Sequence, residues 1–252
     1  MRPTQTVLRS LQACWTARTV GFVLAFGSLC VLLLCLPAPA AGDQDYMTIT
    51  FDDKAIDQPI GTGGPANGEP SSIDESLSAI VRSSPFSTPC LEIANTGNMN
   101  FDLAAPVTGG IVAVITDIWF YQDVSCQYSV ALRNSSNQAI ASIFFWANGV
   151  GEIAAYDFIV DNVTYPTGRP TPILMVVDLD ARTWSVWIDE VQWVNGQPLF
   201  EEISDFKRVL VGAGGGCPEG NRCSIDQIRI LDRVPEVPVK ATSWGTLRAL
   251  YR

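Results

Sequence analysis

The sequence contains no histidine, and lysine is almost as scarce. Without histidine the chain cannot form a Ser-His-Asp or Cys-His catalytic arrangement, and a zinc site would need four cysteine thiolates. After residue 42, lysine occurs only at Lys54, Lys207 and Lys240. Contacts with nucleic-acid phosphates need clustered Lys and Arg. The composition therefore argues against binding to nucleic acid or to an anionic membrane surface.

Basic residues are outnumbered by acidic ones, with 16 Lys and Arg against 26 Asp and Glu and a net charge of −10. The first 42 residues contain three Arg and no acidic residue, so the remaining 210 residues carry a charge of −13. Such a surface favours solubility and can attract cations. A chain of this length is sufficient for one all-β domain with a full core.

Residues 1–42 have the features of a signal peptide. Arginines without acidic neighbours precede an apolar run at 21–36, and small residues at 38–41 offer cleavage sites. The run of 16 residues is shorter than the roughly 20 that span a bilayer. We therefore expect cleavage and export to the periplasm, the cell surface or the medium, with no membrane span afterwards, over the alternative of an uncleaved anchor.

Four of the seven cysteines follow the predicted signal. An even number of cysteines in an exported chain predicts two disulfides, with three pairings open. Cys217 and Cys223 enclose five turn-forming residues, so we expect the pairs Cys217–Cys223 and Cys90–Cys126. The alternative, a metal site of four thiolates, has unusual ligand spacing.

Alternating apolar residues dominate the rest of the chain, most clearly at 171–199. The run at 173–177 predicts a strand buried on both faces, and residues 183–188 place Trp184 and Trp187 on opposite faces. About a dozen such segments occur with turn residues between them, and no long amphipathic helix is evident. We expect an all-β fold at 43–232, an antiparallel β-sandwich or jelly roll.

Three segments resemble the concanavalin A-like lectin/glucanase superfamily, and in particular its laminin G-like modules. VVDLDARTWSVWIDEV at 176–191 is similar to their strand–corner–strand, SIDQIRIL at 224–231 to their closing strand, and ITFDD at 49–53 to their opening strand. Glu190 stands where glycine is usual, and Gln227 where a second Asp is common. The resemblance implies a concanavalin A-like sandwich over 45–232, but this fold hosts many functions.

Sandwiches of this kind often hold calcium where the first and last strands meet. The resemblance thus implies a structural Ca²⁺ site formed by Asp52, Asp53 and Asp226, because carboxylate oxygens suit this ion. The alternative is that these residues end strands because Asp favours turns.

The glucanases of this fold carry E-x-D-x-x-E on one strand, which places catalytic carboxylates on one face. The chain has no such motif. We therefore expect no catalytic residues and no enzyme activity, with a glycoside hydrolase that uses separated carboxylates as an alternative.

Aromatic residues on the predicted strands are the candidates for ligand binding, since an exposed ring can stack on a sugar. The candidates are Trp187, Trp119, Tyr121 and Trp193. Trp187 is preferred because Thr183 and Ser185 share its face. The alternative for each is a place in the core. We expect a non-catalytic module that binds carbohydrate, or alternatively a structural or protein-interaction surface protein.

Residues 233–252 form a predicted linker and a short C-terminal tail. The linker RVPEVP is stiff, and Trp244, Leu247 and Tyr251 can line one helical face. We interpret the tail as either a secretion or attachment signal or a disordered end.

Overall fold

A computed structural model describes residues 45–121, 127–146, 149–214 and 222–235. These residues form fifteen strands and one short 3₁₀ helix, Pro65–Asn67. The strands are β1 Asp45–Thr50, β2 Ser72–Ile73, β3 Ser78–Arg82, β4 Cys90–Ala94, β5 Gly97–Val107, β6 Ile111–Phe120, β7 Tyr128–Arg133, β8 Ala139–Trp146, β9 Val150–Ala155, β10 Phe158–Thr164, β11 Pro170–Asp178, β12 Thr183–Ile188, β13 Val191–Pro198, β14 Phe206–Ala213 and β15 Arg222–Leu231.

The strands make two antiparallel sheets packed face to face, which confirms the predicted β-sandwich. The large sheet has the order β13-β12-β11-β6-β15-β4-β3, with β1 also paired to β15. The small sheet has the order β10-β9-β8-β7-β14-β5-β2. The first and last strands are neighbours, as Ile49 pairs with Ile228.

The main core lies between the sheets and is filled by alternate residues of each strand. In β12 these are Trp184, Val186 and Ile188, as the alternation predicts. Strand β11 is buried on both faces: Met175 belongs to the main core, and Val176 to a separate apolar group on the other side of the large sheet. The continuous apolar run therefore predicts its burial correctly.

The turn between β12 and β13 explains the unusual Glu190. Asp189 and Glu190 have φ angles of 51° and 67°. Two consecutive left-handed residues are the mark of a type I′ hairpin turn, in which glycine is preferred. Glu190 thus adopts a left-handed backbone conformation that usually favours glycine.

The structure does not show the predicted disulfides Cys217–Cys223 and Cys90–Cys126, and within its described part Cys90 and Cys223 are free, buried thiols. Cys223 belongs to the main core, whereas Cys90 alternates with the core residue Leu91 and lies on the outer side of the large sheet. There its Sγ donates to the carbonyl oxygen of Ser84 at 3.1 Å. Cys126 and Cys217 lie outside the described residues.

Among the described residues, no helix has the length and apolar character needed to cross a membrane. The predicted signal peptide at 1–42 and most of the predicted tail lie outside the described residues. The domain boundaries at 42 and 232 stay predictions.

Candidate ligand-binding site

Trp187 is not the exposed ring that the sequence predicts. It does face the outer side of the large sheet, opposite Trp184, but only 2% of it is exposed. It belongs to an apolar group on this outer side, which we call the outer cluster: Ala113, Leu174, Val176, Trp187 and Leu231. Alternation places a residue on a face correctly, but it does not show whether that face meets solvent.

Trp119 and Tyr121 are half-buried beside other side chains of the protein. The Trp119 ring lies edge-to-face against Phe86, with centroids 6.1 Å apart. The Tyr121 hydroxyl is 3.2 Å from Ser224 Oγ, and the Arg222 guanidinium lies 4.8 Å from the centre of its ring. These contacts occupy much of the surface that a sugar would need.

Trp193 is half-buried and packs against the main core. Its indole nitrogen is buried, and within the described part of the chain it has no acceptor. The four predicted aromatics therefore do not form one binding surface. Ligand binding by Trp119, Tyr121 and Trp193 stays a prediction.

The predicted calcium ligands Asp52, Asp53 and Asp226 are not gathered into a site. No cluster of three or more acidic, cysteine or histidine side chains suited to a metal occurs among the described residues. Asp53 follows the end of β1 and lies 3.6 Å from Lys54 Nζ. Asp226 instead accepts a 2.6 Å hydrogen bond from Thr88. The first and last strands do meet, but their carboxylates turn to different partners.

A stacked aromatic pair with one exposed ring occurs where the sequence patterns gave no candidate. Tyr156 lies at the turn between β9 and β10, and 76% of it is exposed. Its ring stacks on Phe200, which follows β13, with centroids 3.8 Å apart and an angle of 18° between the planes. We call these two residues the aromatic platform. Offset stacking leaves the outer face of one ring open to a ligand.

A cleft of about 420 Å³ adjoins the aromatic platform. Its polar groups are the carboxylates of Asp157 and Glu201 and the amide of Gln197. Its apolar wall includes Phe158 and Leu199. The cleft thus offers hydrogen-bonding groups and an apolar surface within reach of the same ligand.

Packing between the two sheets brings the platform together. Phe158 of the small sheet lies edge-to-face against Trp184 of the large sheet, with centroids 5.5 Å apart. This contact holds the β9–β10 turn, and with it Tyr156, next to the end of β13.

The segment that carries Phe200 is fixed by one arginine. The Arg182 guanidinium donates to the carbonyl oxygens of Phe200, Glu201 and Ile203 at 3.0–3.1 Å. Arg182 itself sits in a left-handed conformation with φ of 56° at the corner after β11. The polar corner at 178–182, between β11 and β12, therefore orders one side of the cleft.

The sequence contains one weak signal for Tyr156. Tyr156 is an aromatic residue directly before a turn residue, Asp157, and a side chain at a turn lies away from the core. For Phe200 no local pattern distinguishes it from a core residue.

A second, smaller concavity of about 230 Å³ lies on the outer face of the small sheet. It is lined largely by polar side chains, including Asn98, Ser129 and Arg133. Its one aromatic residue is Phe144, which is half-buried. It therefore offers hydrogen bonds but less stacking surface than the aromatic platform.

No protein-family model matches the chain, and no curated protein does. Among solved structures, Trypanosoma rangeli sialidase is similar over 86% of this chain and 38% of its own, with 9% identity and a TM-score of 0.51. The carbohydrate recognition domain of Emp46p, in its potassium-bound form, is similar over 63% of this chain and 88% of its own, with 8% identity and a TM-score of 0.43.

The chain spans well under half the length of the sialidase. At this identity the likeness to the sialidase shows a shared fold and nothing about activity. The class that the fold defines is the two-sheet antiparallel β-sandwich.

Proposed function

We propose that this protein is an exported, non-catalytic carbohydrate-binding module of the laminin G-like, concanavalin A-like kind. The observation that carries the proposal is the aromatic platform beside a polar cleft. Export rests on the predicted signal at 1–42, and the superfamily on the segments at 49–53, 176–191 and 224–231.

The platform has the chemistry that a sugar ring requires. One face of a pyranose presents C–H groups that pack on an aromatic ring, while its hydroxyls need donors and acceptors. Tyr156 supplies the ring, and Asp157, Gln197 and Glu201 supply the polar groups. Ligand clefts commonly have volumes of about 300–1,000 Å³, which includes this one.

Order in the site before binding favours affinity, because less conformational entropy is then lost. Arg182 holds the Phe200 segment, and Phe200 holds the Tyr156 ring. The carboxylates of the cleft act as hydrogen-bond acceptors in this proposal, so binding does not depend on calcium.

The test is a glycan array, followed by calorimetry on the leading hit, with residues 43–252 in calcium and in chelator. We expect Tyr156→Ala to weaken binding by at least about tenfold, which corresponds to about 1.4 kcal/mol. Phe200→Ala should weaken it by loss of the ring that supports Tyr156. The matched control is Val191→Ala, which removes another exposed apolar side chain, 52% exposed, from the first position of β13. This control should bind as the parent protein does.

The proposal fails if no glycan binds, or if Tyr156→Ala binds as tightly as Val191→Ala. The first result would favour a structural or protein-interaction role. The second would move the sugar site to another surface, with the polar concavity of the small sheet as the next location.

A glycoside hydrolase is the second candidate, because Asp157 and Glu201 line the same cleft. Hydrolysis needs two carboxylates that flank the bond, and one must hold its proton through burial. Both side chains are exposed here, which favours the non-catalytic proposal. Incubation of the bound glycan with the protein should give no shorter product. Product that disappears in both Asp157→Asn and Glu201→Gln would establish hydrolysis instead.

A further inference from the structure

The outer cluster forms a continuous apolar stripe across four strands of the large sheet. Leu231, Ala113 and Val176 are neighbours in register on β15, β6 and β11. In the adjacent row, Leu174 of β11 pairs with Trp187 of β12. With strands about 4.8 Å apart, the stripe is about 14 Å wide.

The side chains of the outer cluster are as little exposed to solvent as those of the main core. Trp187, Val176 and Leu231 are at most 2% exposed, and Leu174 is 4% exposed. The outer face of a sandwich normally meets water and carries polar residues. A second layer must therefore cover this face.

The chain itself turns toward the stripe after the last strand. β15 ends at Leu231, a member of the outer cluster, and three residues later Val234 packs against the cluster. The described residues end at Pro235. Seventeen residues, 236–252, follow from a point already on the apolar face.

The tail has the composition to cover the stripe. In a helical conformation, Trp244, Leu247 and Tyr251 would share one face. A helix over 240–252 would be about 20 Å long, enough to cross a stripe about 14 Å wide.

The distribution of charge also favours the tail as the segment that covers the outer cluster. Residues 43–232 contain nine Lys and Arg against 25 Asp and Glu, a net charge of −16. Residues 233–252 contain four basic residues and one acidic residue, a net charge of +3. Opposite net charges draw the two parts together.

We propose that the C-terminal segment 236–252 docks on the outer cluster, with Trp244, Leu247 and Tyr251 against Trp187 and its neighbours. The tail is then a strap that completes the large sheet. Any sorting machinery that reads the tail must first displace it from this face. This proposal does not depend on carbohydrate binding.

Limited trypsin digestion of the folded protein, residues 43–252, tests the docking, because Lys240 and Arg248 are cleavage sites within the tail. We expect cleavage at these sites to be at least tenfold slower in the parent protein than in the double variant Trp244→Ala/Leu247→Ala. The matched control is Thr242→Ala/Thr246→Ala, which changes the opposite face of the helix proposed for the tail. This control should be cut as slowly as the parent protein.

A fluorescent probe of apolar surface, anilinonaphthalene sulfonate, gives an independent readout. The Trp244→Ala/Leu247→Ala variant should bind several-fold more probe than the parent and the control, while its circular dichroism is unchanged. Equal cleavage rates in the parent protein and the two variants, or equal probe binding in all three, would overturn the proposal. The covering layer would then be another segment.

Discussion

Glu92 allows a sharp test of how burial sets the strength of an ion pair in this fold. Its side chain is 9% exposed and bridges two arginines: Oε1 lies 3.1 Å from Arg82 Nε, and Oε2 lies 3.0 Å from Arg222 Nη1. Arg82 also contacts a second carboxylate, Asp57, at 2.6 Å, but that side chain is 67% exposed. One arginine thus has a buried and an exposed acidic partner.

The expected losses of stability differ for the two carboxylates. Breaking a buried ion pair costs about 3–5 kcal/mol when it leaves a buried charge behind. Arg82 and Arg222 are 33% and 49% exposed, so water can solvate them. We therefore expect Glu92→Gln to lower the free energy of unfolding by about 2 kcal/mol, a fall in Tm of about 4–8 °C. Asp57→Asn should cost at most about 0.5 kcal/mol.

Urea unfolding of the two variants and the parent protein measures these free energies directly. Added salt should reduce the Asp57→Asn effect and leave most of the Glu92→Gln effect, because buried pairs are screened less. Equal losses in the two variants would refute the reasoning. Arg222, one of the two partners of Glu92, also lies over the ring of Tyr121. If these three side chains only stabilise the fold, Glu92→Gln should bind glycan as the parent protein does.

Two further predictions follow from buried groups. Burial, supported by the nearby negative charge of Asp226, raises the pKa of the Asp117 carboxyl above its ordinary value. The stability that protonated Asp117 contributes is therefore present at low pH and is lost as the pH rises through the raised pKa. Asp117→Asn should therefore stabilise the protein against urea at pH 7 but not at pH 3, and an equal effect at both pH values would contradict this. Peptide mapping after unfolding and alkylation without reductant should find Cys90 and Cys223 alkylated; recovery of either in a disulfide-linked peptide would restore the pairing expected from cysteine spacing.

Local pattern predicts much of the fold, because strand periodicity depends on neighbours in sequence. The alternation at 183–188 places Trp184 inside and Trp187 outside, and the structure agrees. The apolar run at 173–177 predicts a strand that is buried on both faces, as β11 is. Turn residues mark the corners at 178–182 and 189–190, where left-handed backbone occurs.

The candidate site was beyond such patterns. Tyr156 and Phe200 are far apart in the chain and meet only because the edges of the two sheets pack together. Cysteine spacing is limited in the same way. Cys90 and Cys223 lie on opposite sides of the large sheet, and spacing along the chain carries no information about which thiols share a side.

The sequence by itself determined the class of fold, the strand segments and the direction in which most side chains point, since each of these follows from the period of two along a strand. Only the tertiary structure decided which faces meet water. Trp187 points outward yet is buried, while Tyr156 at a turn is largely exposed. The physical reason is that exposure depends on what packs over a surface, and the covering residues come from distant parts of the chain.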